Sequence, residues 1–346
     1  MSDRTRSGET PALRARYRLR LQRKRFLWRA LRSRHSLHCV ADRTAQIRKG
    51  QLLAFTVLRN EAVRLKYFLH HYRKLGVDHF LVVDNGSQDG AAEWLAEAPD
   101  VSLWRTQAGY RDARFGLDWS GWLQIRYGHG HWCLTVDADE VLIYPHWDSR
   151  DLRALTARLD ATGQPALGAL MLDMYPRGRL GDAAYRAGED PFETLCWFDD
   201  GPWRVQRQAP AQNLWVQGGV RERVFFADRP ELSPTLNKLP LVKWNRRYVY
   251  RNSTHSILPP RLNLAYDGPG GTALSGVLLH SKFLDLVVAR SADEKARGAH
   301  FNRPELFDAY YDRLNANPRL WSEASLRYTG WEQLEALGLM ARGGWG

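Results

Sequence analysis

Residues 134–145 read LTVDADEVLIYP, which places Asp137, Asp139 and Glu140 directly behind an apolar run. Carboxylates packed this closely at the end of a buried strand call for a cation to share them, because unpaired charge is expensive to bury. Side chains at i and i+2 of a strand point the same way, about 6.6 Å apart. Extended geometry therefore predicts that Asp137 and Asp139 converge on one ion while Ala138 faces the core. A hard divalent cation held by one or two carboxylates keeps positions open for the oxygens of a diphosphate. Such an ion neutralises the charge that grows on a departing nucleoside diphosphate. The alternative, a turn of solvated acids, sits poorly with the apolar run that precedes it.

The elements that position these carboxylates alternate between strand and helix. LLAFTVL (52–58) is a short apolar run, read as a buried strand, and Asn60 stands where it can cap a helix that Gly76 closes. DHFLVVD (78–84) and VSLWRT (101–106) read as two more strands, with a helix over 87–98 capped by Ser87 between them. A further helix over 119–127 leads into a fourth strand, HWCLTVD (131–137). Strands of about six residues alternating with helices describe an α/β fold with a mostly parallel sheet and right-handed crossovers. Ligands of such sheets bind beyond the carboxyl ends of the strands. Those ends carry Arg59, Asn60 and Glu61; then Asp84, Asn85 and Asp89; then Asp137, Asp139 and Glu140. Singly, Asn60 and Ser87 read as caps and Asp84-Asn85-Gly86 as an ordinary turn. Their coincidence on one rim points to a nucleotide site.

The ordered set NE (60–61), a helix ending in LG (75–76), DNGSQD (84–89) and DADE (137–140) resembles glycosyltransferase family 2. The resemblance covers roughly residues 51–175. It implies a GT-A fold, a Rossmann-like mostly parallel sheet flanked by helices with a mixed acceptor-side half. It also implies a nucleotide-sugar donor such as a UDP- or GDP-sugar, Mn2+ or Mg2+ as cofactor, a glycan or glycolipid acceptor, and inversion at the anomeric carbon. By the same resemblance Glu61 and Asp84 hold the base and ribose with Arg59 nearby, and Asn85 and Asp89 shape their loop. Asp137 is the aspartate nearer the ribose and diphosphate, and Asp139 is the principal metal ligand. Synthesis of a bacterial surface polysaccharide is the role it suggests. Arg111 and Arg114, ahead of the helix into strand four, are open to phosphate or to solvent.

The second half is less explicit. ALGALMLDMYP (166–176) reads as another strand ending at Asp173, and VQGGVRERVFF (216–226) places Glu222 behind two glycines. LSGVLLHSKFL (274–284) delivers His280 and Lys282. Inverting transfer needs a group to take the acceptor's proton. The Glu-Asp pair common in family 2 is absent, so Glu222 and then Asp173 are the candidates, with His255 and His280 behind them. His280 is either a third metal ligand or a core histidine. Among the 14 tryptophans, several fall in the acceptor half, where indole faces can pack on sugars, although packing accounts for most.

Charge divides the chain unevenly. Of the net +12, all lies in residues 1–50, and the remainder carries 35 residues of each sign. The expected organisation is a basic arm over residues 1–49, either disordered or an amphipathic helix on an anionic membrane face. A GT-A domain follows over 50–300, its nucleotide-sugar half 50–145 and its acceptor half 146–300, with a helical extension over 301–346. No specific nucleic-acid partner is expected from a neutral body. Three scattered cysteines and the lack of a long apolar run or a signal-like start fit a soluble cytoplasmic protein, with at most peripheral contact with the inner membrane face. A glycoside hydrolase would need two carboxylates on opposite sides of a sugar. A nucleotidyltransferase would share the metal and sheet, but its Gly-rich basic loop after strand one is replaced by Arg59-Asn60-Glu61.

Overall fold

The computed structural model describes residues 13–182, 184–285, 287 and 304–346. The apolar runs become a nine-stranded sheet. Its strands are β1 (His38–Ala41), β2 (Leu52–Leu58), β3 (His79–Asp84), β4 (Val101–Arg105), β5 (Trp132–Thr135), β6 (Glu140–Ile143), β7 (Ala166–Asp173), β8 (Asn237–Lys243) and β9 (Ser275–His280). The spatial order is β1-β4-β3-β2-β5-β8-β7-β9-β6. β4, β3, β2 and β5 run parallel, as do β7 and β9, whereas β1, β8 and β6 pair antiparallel with their neighbours. The α/β expectation with a mostly parallel, mixed sheet is met.

Both faces of the sheet are covered, which is why β2 is apolar but for Thr56 and does not alternate. Leu53 and Phe55 bury on one side with Trp119 and Leu123 of α4 (Leu117–Tyr127). Leu52 and Ala54 bury on the other. That second side packs against α2 (Ala62–Lys74), α3 (Ala91–Glu97) and α5 (Leu152–Ala161), through Phe68, Leu95 and Leu155 among others. The C-terminal segment joins this core directly. Trp331 and Leu334, on the helix Trp331–Ala336, bury with β2 and β7, and Trp345 buries on the opposite face.

Two expected caps are absent. Helix α2 starts at Ala62, and Asn60, at φ 55°, turns its amide toward the next loop. Helix α3 starts only at Ala91, four residues beyond Ser87.

From Leu13 onward the basic arm is built into the folded body. Its first part is helix α1 (Leu13–Ser33), and β1 forms the edge of the sheet against β4. Residues 1–12 lie outside the described residues. Helix α1 packs on α4, where a Cβ at Gly121 would stand 3.3 Å from Ala30 Cβ, so glycine permits the close approach. Arg29 donates to the buried Asp118 at 2.9 Å and to the Asp112 carbonyl, and Ser33 donates to the Asp118 carbonyl at 2.8 Å. A buried carboxylate satisfied in this way fixes where the helix lies.

Candidate active site

Hydrogen bonds lace together the loops that leave β2 and β3. Ser87 Oγ accepts from the Asn60 amide at 2.8 Å, and Asn60 Oδ1 accepts from the Gln88 amide at 2.8 Å. Asp84, fully buried, accepts from the backbone of Gly86 and Ser87, and Arg105 lies 3.2 Å away. Asn85 donates to the carbonyls of Thr106 and Ala108. Asp89 accepts from the amides of Ala62 and Ala91, and so caps both following helices. Asp84 and Asp89 therefore build the rim from behind, while Arg59, Asn60, Glu61 and Asn85 line the cavity in front of it. Gly86 sits at φ 75°, a left-handed turn that glycine adopts without strain.

The carboxylate segment departs from the extended geometry expected of it. Strand β5 ends at Thr135, and Asp137–Asp139 is a tight turn closed by the Glu140 amide on the Asp137 carbonyl at 3.1 Å. Turn geometry removes the i, i+2 alignment and sends the two aspartates apart. Asp137 leans toward Lys238 at 3.4 Å with a side chain 56% exposed, whereas Asp139 meets His280 Nε2 at 3.1 Å. Ala138 is buried, as expected. Among the described residues no group of three His, Cys, Asp or Glu side chains is preassembled for a metal.

Behind Asp139 runs a buried chain of polar contacts. His280 Nδ1 lies 2.6 Å from Asp173, whose other oxygen accepts from Arg221 Nε at 2.6 Å. Burial works against charge on His280, but Asp139 and Asp173 outweigh it and push the imidazole up to about 9. Burial likewise opposes ionisation of Asp139, yet His280, then Arg64 and Lys282, hold its carboxyl well below the usual range. A protonated imidazole between two carboxylates stands where a cation belongs. As a metal ligand the same ring would give up its Nε2 proton and keep the Nδ1–H on Asp173. Asp139 and His280 thus supply an oxygen and a nitrogen donor at one point, enough for an ion that completes its shell with waters and phosphate oxygens.

Lysine 238, on β8, is the buried cation that sequence reasoning missed. Its ammonium lies 2.8 Å from Glu140, and both side chains are almost fully enclosed. Burial disfavours the ammonium, but Glu140 and then Asp137 hold it above its ordinary range. The available signal was a lysine inside the apolar run 236–242. Arg64 and Arg221 escaped notice for the same reason, since a buried arginine reads like any surface one. Arg64 pairs with Glu61 at 2.6 Å and donates to the Ser281 carbonyl, which ties the β2 loop to the end of β9.

The cavity has a volume of about 810 Å3, and Arg111, Phe115, Asp137, Asp139, Lys238 and His280 also line it. Thr56 and Thr254 belong to the cavity wall, and their hydroxyls are buried with no hydrogen-bond partner among the described residues. Buried hydroxyls normally have one. Arg114, expected to contact phosphate, instead donates to Asp118 and the Tyr250 carbonyl and lies 3.7 Å over the Phe26 ring. It belongs to the α1 dock and does not line the cavity, whereas Arg111 does.

Neither acid expected to serve as base faces the cavity. Glu222 lies on α6 (Gly219–Phe225), bound by Arg204 and by the Ser233 hydroxyl at 2.7 Å. Asp173 is committed to His280 and Arg221. His255 does line the cavity, and its Nδ1 lies 2.6 Å from the Asn237 carbonyl. That contact places the proton on Nδ1 and leaves Nε2 as an acceptor. Burial, then Lys238, holds this imidazole neutral, down to about 3.

No protein-family model matches the chain, and no curated protein matches it. Solved structures resemble it weakly. A mannosyltransferase from Pyrobaculum calidifontis, in complex with GDP-Man and Mn2+, is 15% identical over 88% of this chain and 78% of its own, with a TM-score of 0.31. A glucose-1-phosphate thymidylyltransferase from Bacillus anthracis, described as putative by its authors, is 11% identical over 76% and 83%, with a TM-score of 0.27. A 4-diphosphocytidyl-2C-methyl-D-erythritol synthase is 17% identical over 41% and 69%, with a TM-score of 0.25.

Proposed function

We propose that the chain is a metal-dependent glycosyltransferase of the GT-A type, using a UDP- or GDP-sugar and a glycan or glycolipid acceptor. The observation that carries this reading is the Asp137-Ala138-Asp139 turn on the rim of an 810 Å3 cavity, at the carboxyl ends of parallel strands. A cavity of that size is ordinary for a ligand of nucleotide-sugar dimensions.

On this reading the β2 and β3 loops, with Phe115 opposite, hold the base and ribose. Arg59 and Arg111 serve the diphosphate. Asp139 and His280 would hold Mn2+ or Mg2+, which supplies charge neutralisation on the leaving diphosphate when bound. Arg221 and Asp173 keep His280 in one orientation. The acceptor oxygen bonds to the anomeric carbon as the bond to diphosphate breaks, with inversion, and its proton leaves toward His255 Nε2, an acceptor that burial and Lys238 make weakly basic.

The test is a panel of UDP- and GDP-sugars with Mn2+, read by thermal stabilisation and by sugar transfer or slow hydrolysis. Asp139→Asn should abolish stabilisation by the donor while circular dichroism stays unchanged. Release of pyrophosphate from a nucleoside triphosphate and a sugar phosphate, with no transfer from any nucleotide sugar, would instead establish a nucleotidyltransferase.

A further inference from the structure

Helix α1 has two faces with different tasks. Its inner face, through Leu19, Phe26 and Ala30, is docked on the body. On its outer face Leu13 is 80% exposed, Tyr17 61%, Leu21 46% and Trp28 58%. At about 100° per residue these four side chains fall within roughly 80° of arc, one stripe that Lys24 interrupts between Leu21 and Trp28. Nothing in the folding of the described residues accounts for it, since the core is already complete beneath the helix. Arg14, Arg25 and Arg32 flank the stripe on one side and Arg20 on the other, with Lys24 between Leu21 and Trp28, all exposed. The helix contains no acidic residue.

We infer that the outer face of α1 lies on an anionic bilayer, with Leu13, Tyr17, Leu21 and Trp28 inserted at the headgroup level and the basic residues on lipid phosphates. The charge sign selects an anionic surface, and the stripe selects a lipid one. Nucleic acid would satisfy the arginines but leave four large apolar groups in water, and it would find a neutral body beyond the helix. Leucine, tyrosine and tryptophan in one stripe flanked by arginine and lysine are the composition of a helix that lies in the interface plane. No described helix is long and apolar enough to cross the membrane.

The dock gives the contact a consequence. Arg29 and Ser33 clamp α1 to Asp118 of α4, and Gly116, Leu117 and Ser120 at the start of α4 line the cavity. The cavity wall is then about one helix diameter, roughly 10 Å, from the lipid surface. An acceptor anchored in the same leaflet would lie within reach, a point that rests on the sugar-transfer reading, whereas the membrane contact does not.

The experiment uses the full chain and flotation with vesicles of phosphatidylglycerol and phosphatidylcholine in equal parts, against phosphatidylcholine alone. One variant carries Leu13→Ser, Tyr17→Ser, Leu21→Ser and Trp28→Ser. A second carries Arg14→Gln, Arg20→Gln, Lys24→Gln, Arg25→Gln and Arg32→Gln. All nine positions are exposed, and unfolding curves check that both variants stay folded. The intact chain should bind the anionic vesicles only, and each variant should bind at least about tenfold more weakly. Salt should weaken the intact chain steeply and the charge variant little. Three outcomes overturn the inference: no vesicle binding by the intact chain, a serine variant that binds as well as the intact chain, or retention on RNA without retention on vesicles.

Discussion

Replacing Lys238 by Met tests whether the floor of the cavity is organised around a buried ion pair. The ammonium lies 2.8 Å from Glu140, whose side chain is 1% exposed, and 3.4 Å from Asp137, whose side chain is 56% exposed. Removing the amine leaves Glu140, which burial already pushes up to about 7, in the interior without its partner, a loss of about 3–5 kcal/mol for a buried pair broken on one side. Asp137 adds less than about 1 kcal/mol, because solvent already screens it. Lys238→Met should therefore lower stability by about 4 kcal/mol. Glu140→Gln added to it removes the stranded charge, and the double variant should lose less than about 2 kcal/mol, a coupling of 2 kcal/mol or more. Urea unfolding followed by far-ultraviolet circular dichroism measures this as a shift of midpoint at constant slope. A loss below about 1 kcal/mol in the single variant, or a double variant no more stable than it, would refute the ion pair.

Three further outcomes are expected. Arg111→Ala should weaken binding of the nucleoside diphosphate at least about fivefold with stability unchanged, whereas Arg114→Ala should lower stability by about 1–3 kcal/mol and leave that binding alone; calorimetry and unfolding curves separate the two. Burial holds the His71 imidazole down to about 4, against a carbonyl of Leu142 that it meets at 3.2 Å. The unfolded chain then binds a proton that the folded chain does not, so stability is whole above about 6.5 and falls as pH drops from there toward 4; His71→Gln should flatten the fall by about one proton in unfolding curves at pH 7.5 and 5. Asp173→Asn, with its amide unable to accept as Asp173 does, should loosen His280 and weaken Mn2+ binding about 10–100-fold by titration, while Glu222→Gln leaves it unchanged.

Local signals carried the sheet well and the site unevenly. The run 52–58 was legible as a strand to the residue, because a strand buried on both faces is apolar almost throughout. The rim was legible too, since strand ends announce themselves where apolar runs stop. Which acids face the cavity was not legible. Asp84 and Asp89 have the right types, but backbone amides of their own and the neighbouring loop absorb them, and no spacing reveals that. Asp137 and Asp139 were read on a strand that ends two residues earlier, where turn chemistry decides direction. Glu222 looked free beside two glycines and is held by Arg204, 18 positions away, and by Ser233. Asp173 and His280 touch because β7 and β9 are neighbours, a pairing between residues 107 positions apart, and Arg221 reaches Asp173 from α6. The arm read as an appendage because a charge count cannot see Asp118 waiting beneath Arg29.

The late arrival of β8 has a bearing on how the chain is made. Strand β5 pairs with β2 on one side and with β8 on the other, and β8 enters the sequence only at Asn237. During synthesis β2 to β5 can assemble as a four-stranded unit, but β5 keeps an unpaired edge for about a hundred residues of further elongation. Strand β7, which β8 also joins, waits beside it. At roughly 5–20 residues per second that interval lasts several seconds, long enough for an open edge to find another chain. A fragment ending before residue 237 should accordingly precipitate where the full chain stays dispersed. Asp139 and His280, 141 positions apart, come together only when the last gap in the sheet is filled.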